Sequence, residues 1–506
     1  MQREDNLKRT VIKNASANLV RLTGSGIVAL LLPPFLVRTL PKETYGAWAL
    51  LLQLTLYVGY LDFGIQTAVA RFVAHANELD HCEERDGIVS TAFVMLTIAM
   101  GFGCLLVVLL VWQLPVIFRQ MPAELYRPAQ VALLFMGCSF ALSLPVSVIH
   151  AVFIGLQRNE IPAVVAVVNK LAMALLVVAV VLRHRGLAAM GIGVAIANVL
   201  SYAGAFVAWR VWARRVRIRT SLASSGFARQ ISGYSAALVV WMLAMLMISG
   251  LDLSIVGLFD YKATAYYAIA ATLTNFLAQA QGAIFAALLP ASAVLGARGD
   301  GSRLGALLIS STRYGMLILL AMALPLIIAG HFVIRLWAGP DYAQHSTLIL
   351  QVLILANVIR LCALPYSTLL LGTGQQSKVV ISPIAEGVTN LTVSVVGAYL
   401  MGAIGVAIGT LIGSFVSLGL HLLYNMPRTS LIPIDRPRFV KEGLLRPLAC
   451  AAPFGFVLAL RFVADLRDQS QILLISIAAL GAVLLFWNYG LIGSEREKLA
   501  HALRLL

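Results

Sequence analysis

The sequence predicts an all-α protein that crosses a membrane about fourteen times, and three observations support this prediction. The 506 residues are 60% hydrophobic and only 12% charged, whereas soluble domains have about 25% charged residues. The mean hydropathy is +0.88. Apolar segments long enough to span ~30 Å of hydrocarbon follow one another along the whole chain. We therefore expect a polytopic helical membrane protein with two parallel six-helix repeats and two C-terminal helices.

Short polar turns separate the predicted spans. The approximate limits of these spans are residues 15–37, 45–70, 88–112, 128–155, 161–182, 187–209, 231–259, 264–290, 304–330, 346–371, 379–400, 402–424, 444–463 and 472–492. Residues 1–13 are polar and basic, and no short apolar segment with a small-residue cleavage site follows them. The first span is therefore expected to act as its own insertion signal.

The lysines and arginines of the loops are unevenly distributed between the two sides of the membrane. Because cytoplasmic loops are enriched in these residues, the bias predicts an even number of spans with both termini in the cytoplasm. This topology also explains the net charge of +16 without a nucleic-acid partner. The basic segment 210–230 is a topology anchor, a contact for anionic lipids of the inner leaflet, or both.

The second half of the chain resembles the first at an offset of about 220 residues. Asn169 corresponds to Asn390, and the stretch 193–196 (GVAI) recurs as 405–408. Six spans per half preserve orientation, so the halves are expected to be parallel repeats. The predicted division is an N-terminal lobe (1–210), a basic cytoplasmic linker (211–230), a C-terminal lobe (231–424), and a cytoplasmic loop with helices 13 and 14 and the C-terminal tail (425–506).

Four cationic residues fall within predicted spans: Arg21, Lys170, Arg313 and Arg360. A lysine or arginine at the centre of a span costs roughly 2.5–3.5 kcal/mol on insertion scales, and such residues usually face a bundle interior or a watery cavity. Since guanidinium and ammonium groups bind phosphate, these residues are candidate ligands for an anionic substrate that carries phosphate. The alternatives are ion pairs, such as Lys170 with Glu386 or Arg21 with Asp62, and snorkelling to the membrane surface.

Three acidic residues also lie within the predicted spans, and they are candidates for coupling transport to an ion: Asp62, Glu386 and Asp252. Asp62, in the step Asp62-Phe63-Gly64, is alternatively a hydrogen-bonded residue at a kink. The cations outnumber the acids, which favours an anionic substrate over a cationic one.

The sequence contains no pattern typical of catalysis. It has no GxxxxGK[ST] phosphate-binding motif, and its five cysteines lack the spacing of a metal site or a disulfide framework. The outside loops are too short for a catalytic domain. We therefore expect a transporter rather than an enzyme, without a cofactor or a metal.

Several stretches together carry a family resemblance. They are residues 18–21 (NLVR), 30–48 (LLLPPFLVRTLPKETYGAW), 60–65 (YLDFGI), 70–72 (ARF), 155–158 (GLQR), 250–257 (GLDLSIVG) and 334–342 (IRLWAGPDY). These stretches resemble the polysaccharide transporter family, the flippases of O-antigen and exopolysaccharide repeat units. That family belongs to the superfamily of the multidrug and toxin extrusion proteins and the lipid II flippase.

The resemblance implies two six-helix lobes around a central cavity that opens alternately to each side. It implies a bacterial inner-membrane protein that moves an undecaprenyl-diphosphate-linked oligosaccharide from the cytoplasmic to the periplasmic leaflet. Anionic membrane lipids, a polysaccharide polymerase and glycosyltransferases are further expected partners. Two other functions stay open: a drug or cation antiporter on the same fold, and a membrane scaffold for a polysaccharide synthesis complex.

Overall fold

The computed structural model describes residues 26–285, 288–375, 379–463, 468–491 and 496. Within these ranges the regular elements are helices, with no strand, which confirms the all-α prediction. The α-helices are α1 (Gly26–Thr39), α2 (Lys42–Gly59), α3 (Ile65–Glu78), α4 (Cys82–Ile117), α5 (Ala123–Gly155), α6 (Glu160–Leu182), α7 (Gly186–Trp212), α8 (Ser225–Met245), α9 (Asp252–Phe259), α10 (Thr264–Phe285), α11 (Leu288–Ala297), α12 (Gly301–Trp337), α13 (Pro340–Leu361), α14 (Leu364–Gly372), α15 (Ile381–Met401), α16 (Ala403–Leu420), α17 (Arg436–Arg438), α18 (Arg446–Cys450), α19 (Ala452–Val463) and α20 (Asp468–Leu485).

The helices of the described residues confirm a polytopic membrane protein. Ten are long and apolar enough to cross a membrane, and three further pairs pass the same test as bent spans, which gives up to thirteen. Helix α1 is shorter, and the residues before Gly26 lie outside the description. The count of fourteen spans therefore stays a prediction.

The local sequence explains where several helices begin. Pro340 lies in the first turn of α13, where its missing N–H has no intrahelical partner to lose. The carboxylate of Asp300 begins α12 by accepting a hydrogen bond of 3.1 Å from the backbone N–H of Arg303. This hydrogen bond lowers the pKa of Asp300 below its ordinary value. Ser224 begins α8 in the same way, through the N–H of Phe227.

Contacts within the chain group it into two compact units, residues 1–268 and 269–506. In the first unit, helices α3, α4, α5 and α7 and the segment after α7 share a buried apolar core. Its members include Val69, Ile88, Val148, Phe153, Ala205 and Val216. The predicted lobe boundaries and the predicted repeat stay predictions.

In the second unit, α12 supports the two last predicted spans. Ile328 of α12 is buried together with Phe454 and Val457 of α19 and Ala478 of α20. In both units, large apolar side chains also point outward, as with Trp112 (70% exposed) and the apolar residues of α6 and α20. Lipid accepts such side chains, so a surface of this kind is expected on membrane-spanning helices.

Candidate functional site

The structure describes six of the seven candidate site residues, and Arg21 lies outside the described residues. The first unit contains Asp62, Lys170 and Asp252, and the second contains Arg313, Arg360 and Glu386.

Asp62 lies where a span is broken. Helices α2 and α3 meet at an angle of 41°, because Phe63 (φ 49°) and Gly64 (φ 75°) both adopt the left-handed conformation. The Asp62 carboxylate accepts hydrogen bonds from the N–H of Gln66 at 3.3 Å and from the hydroxyl of Ser147 at 3.4 Å. It thus satisfies a free N–H group at the start of α3, within a bent span whose backbone groups need partners inside the protein. Asp62 is therefore a hydrogen-bonded residue at a kink.

Replacing Asp62 by alanine is expected to lower the free energy of unfolding by about 1 kcal/mol, the usual cost of losing a helix cap. Asparagine keeps an oxygen acceptor, so Asp62→Asn is expected to unfold at the wild-type temperature and to transport normally. Thermal unfolding in detergent and flux in vesicles check both points. A stable Asp62→Asn protein without transport would instead assign Asp62 to ion coupling.

A second break occurs between α8 and α9. A π-helical turn, Leu246–Gly250, ends α8, and the carbonyl of Gly250 accepts hydrogen bonds from the side chains of Gln53 and Tyr57 on α2. Asp252 follows at the start of α9, is buried, and accepts a hydrogen bond of 3.2 Å from the hydroxyl of Tyr267. The polar groups at this break are thus held by side chains of α2 and α10.

Lys170 is exposed on α6, and it makes no hydrogen bond or ion pair with any of the described residues. The adjacent Asn169 belongs to a polar chain that the sequence analysis missed. Its amide bonds to Asn198 at 3.1 Å, and Asn198 bonds to Ser139 at 3.0 Å. Helices α5, α6 and α7 therefore meet beside an exposed ammonium group, and Asn169 itself has a structural role.

Arg313 of α12 is almost completely buried, with 1% of its surface exposed. Its guanidinium lies 5.4 Å from the ring centroid of Tyr314. A ligand cannot reach Arg313 in this conformation.

Arg360, near the end of α13, is half-buried, and one terminal nitrogen donates a hydrogen bond of 2.7 Å to the side-chain oxygen of Asn357. Its positive charge acts on the carboxylate of Glu386, which is buried on α15 and also hydrogen-bonded to Ser417 of α16. Arg360 and Glu386 are thus close enough to interact electrostatically, although no ion pair within 4 Å joins these two described residues.

A buried polar cluster continues from Glu386 along the same helices. Ser382 lies one turn before Glu386 and bonds to Asn425, and Asn425 also bonds to His421 at 3.0 Å. The ring of Tyr366 packs against His421 with centroids 5.5 Å apart. Small polar residues recur every four positions on α15 and α16, and this spacing is the sequence signal for the cluster. The apolar residues around them make this signal difficult to recognise. Among the described residues, no group of three metal-ligating side chains is placed to hold a metal ion.

Comparisons with known proteins identify the family and the fold of the chain. The sequence model of the family described as "Polysaccharide biosynthesis protein" matches residues 11–295, which is more than half of the chain. The chain belongs to the polysaccharide biosynthesis protein family. This membership confirms the family resemblance. No curated protein sequence matches the chain.

Solved structures similar to this family member are transporters of the MOP superfamily. The lipid II flippase MurJ in an inward closed conformation has a TM-score of 0.69 at 13% identity, covering 94% of this chain and 99% of MurJ. An inward-facing multidrug resistance MATE family transporter has a TM-score of 0.68 at 16% identity, covering 81% and 97%. A MOP superfamily transporter from Pyrococcus furiosus has a TM-score of 0.58 at 14% identity, covering 81% and 94%. At these identities the likeness shows the fold alone, so the chain is a polysaccharide biosynthesis protein with the fold of these transporters.

Proposed function

We propose that the chain is a flippase that moves an isoprenoid diphosphate-linked oligosaccharide from the cytoplasmic to the periplasmic leaflet of a bacterial inner membrane. Membership of the polysaccharide biosynthesis family supports a sugar precursor as the cargo. The fold supports transport by alternating access rather than catalysis.

The observation that supports the proposal most directly is the position of Arg360. A guanidinium has five N–H donors, and only one of them bonds to Asn357 among the described residues. The remaining donors suit the bidentate recognition of a phosphate. We propose Arg360 as a headgroup ligand, and Lys170, Arg313 and Arg21 as further headgroup ligands in the course of the transport cycle.

Glu386 competes with the diphosphate for Arg360, because both are anions that the same guanidinium attracts. Neutralising the carboxylate by a bound proton would leave Arg360 to the diphosphate. We therefore propose Glu386 as the residue that couples headgroup binding to protonation. The carboxylates of Asp62 and Asp252 accept hydrogen bonds from the N–H of Gln66 and the hydroxyl of Tyr267, which supports structural roles for these two residues.

The proposal is tested by thermal unfolding of the purified protein with undecaprenyl diphosphate, undecaprenyl monophosphate and undecaprenol. We expect clear stabilisation by the diphosphate, a smaller effect of the monophosphate, and none of undecaprenol. Equal stabilisation by all three lipids would show that only the lipid tail binds. Stabilisation by organic cations in place of the diphosphate would identify an antiporter, and no effect of any of these compounds would favour a scaffold.

A further inference from the structure

A cavity of about 590 Å³ lies at the end of α7, in the segment that leads to α8. Trp209 and Ile218 contribute to its wall, together with four arginines: Arg210, Arg214, Arg217 and Arg219. Residues 210–230 contain no aspartate or glutamate. The cavity therefore concentrates positive charge, and it has no part in the transport steps proposed above.

Hydrogen bonds from α4 fix the backbone of this segment. The guanidinium of Arg85 donates a hydrogen bond of 2.9 Å to the carbonyl of Arg215. The hydroxyl of Ser90 donates to the carbonyl of Arg217 and accepts from the N–H of Arg219 at 3.1 Å. These bonds use backbone atoms of the arginine-rich segment, and they give the cavity a defined shape. Within the segment, Nε of Arg214 donates a hydrogen bond of 2.8 Å to the carbonyl of Arg210, which orders this side chain and leaves its two terminal nitrogens for a ligand.

Two acidic side chains near the segment already have cationic partners. Asp86 forms an ion pair of 2.9 Å with Arg85, and Glu160 forms one of 3.5 Å with Arg158. The four arginines of the cavity are all exposed, and none forms an ion pair with a described residue. Like charges that line one cavity repel one another, so an anion that binds them lowers the energy of the site.

The cavity lies where α7 leaves the apolar part of the membrane. Phe206 and Trp212 are exposed on the last turns of α7 (45% and 54%). The guanidinium of Arg210 lies 5.1 Å from the ring of Phe206, and that of Arg158 lies 5.8 Å from the ring of Trp212. Tryptophan rings with arginines beside them are typical of the interface between hydrocarbon and headgroups. This composition at the end of an apolar helix is the one expected where arginines meet lipid phosphates.

We propose that this cavity binds the headgroup of an anionic phospholipid. Arginine presents a planar fork that bonds two phosphate oxygens at once, and a cavity of this volume is in the range of ligand sites, about 300–1,000 Å³. Four arginines favour a headgroup with two phosphodiesters. Since the charge distribution of the sequence places segment 210–230 in the cytoplasm, the lipid would come from the inner leaflet. This inference goes beyond the transport proposal and does not depend on it.

The test uses the full-length protein in neutral detergent, titrated with cardiolipin, and thermal unfolding as the readout. The variant Arg214→Gln/Arg217→Gln/Arg219→Gln is expected to bind cardiolipin about a hundredfold more weakly, since each basic residue near a lipid surface contributes about fivefold. The matched control, Arg229→Gln/Arg298→Gln/Arg436→Gln, removes three exposed arginines outside the cavity. It is expected to bind like the wild type.

Further titrations distinguish the sources of phosphate. Inorganic phosphate and glycerol phosphate are expected to have no effect at concentrations at which cardiolipin acts, and phosphatidylcholine is expected to have none. Equal loss of cardiolipin binding in both triple variants would show unspecific charge attraction and would overturn the proposal, as would equal stabilisation by inorganic phosphate.

If the glutamine variant does not fold, lysines at the same three positions keep the positive charge but lose the planar fork of the guanidinium. Unchanged cardiolipin affinity in that lysine variant would contradict a site built on guanidinium geometry.

Discussion

Replacing Arg360 by alanine is expected to weaken the binding of undecaprenyl diphosphate about 10- to 100-fold and to abolish transport. Hydrogen bonds to charged groups contribute about 1.5–3 kcal/mol, which corresponds to this range of affinity. In the structure, Asn357 orients the Arg360 guanidinium by accepting a hydrogen bond of 2.7 Å from one of its terminal nitrogens. Thermal unfolding with the lipid and flux in vesicles measure the two effects.

Replacing Glu386 is expected to have the opposite effect on diphosphate affinity. Its carboxylate attracts the guanidinium that we assign to the diphosphate, so Glu386→Gln is expected to strengthen diphosphate binding and to remove its dependence on pH. Tighter binding with slower flux would support competition between the two anions. Unchanged affinity in Glu386→Gln would contradict it.

Two controls separate binding from folding. Arg360→Ala leaves the buried carboxylate of Glu386 without its cation, which by itself destabilises the protein. The double variant Arg360→Ala/Glu386→Gln removes both charges and keeps the hydrogen bond to Ser417, so it is expected to fold and still to lack diphosphate binding. Arg436→Ala removes an exposed arginine at the start of α17 and is expected to bind normally. Full diphosphate binding by the folded double variant would exclude Arg360 as a ligand.

Hydropathy predicted the spans because lipid requires long apolar segments with internally satisfied backbones. Depth along a span can also be read from the sequence, and it identified both Arg313 and Arg360. The face of the helix cannot be read so directly when apolar residues surround the whole helix. Arg313 is fully buried and Arg360 is half-buried. The sequence does not reveal this difference, because it marks both residues only as cations within a span.

Interactions between distant parts of the chain were the least predictable. The kink at Asp62 depends on Phe63, a residue type that rarely adopts positive φ, and on Ser147 of α5. The bond of Ser382 to Asn425 likewise joins separate helices. Such contacts depend on tertiary packing, and composition or spacing alone does not reveal them.

Gly405→Ala is expected to destabilise the second unit by about 3 kcal/mol, the upper end of the usual cost of overpacking. Helices α15 and α16 approach so closely that a methyl group on Gly405 would overlap the carbonyl of Gly397. Both partners in this contact are backbone, so no side chain can move to make room. Small residues permit this close approach of helices in membranes. The free energy of unfolding in detergent and the yield of monodisperse protein measure the loss.

Two glycines serve as matched controls for Gly405. Gly419 lies on the same helix and has no atom within 4 Å of the added methyl group, so Gly419→Ala is expected to be neutral or to stabilise by up to about 1 kcal/mol through helix propensity. Gly193 is the counterpart of Gly405 in the predicted repeat, and its nearest neighbour would be Leu176 at 3.6 Å, an ordinary contact. Gly193→Ala is therefore expected to be tolerated. Equal losses in Gly193→Ala and Gly405→Ala would show that the repeated stretch needs glycine for a reason other than the contact with Gly397.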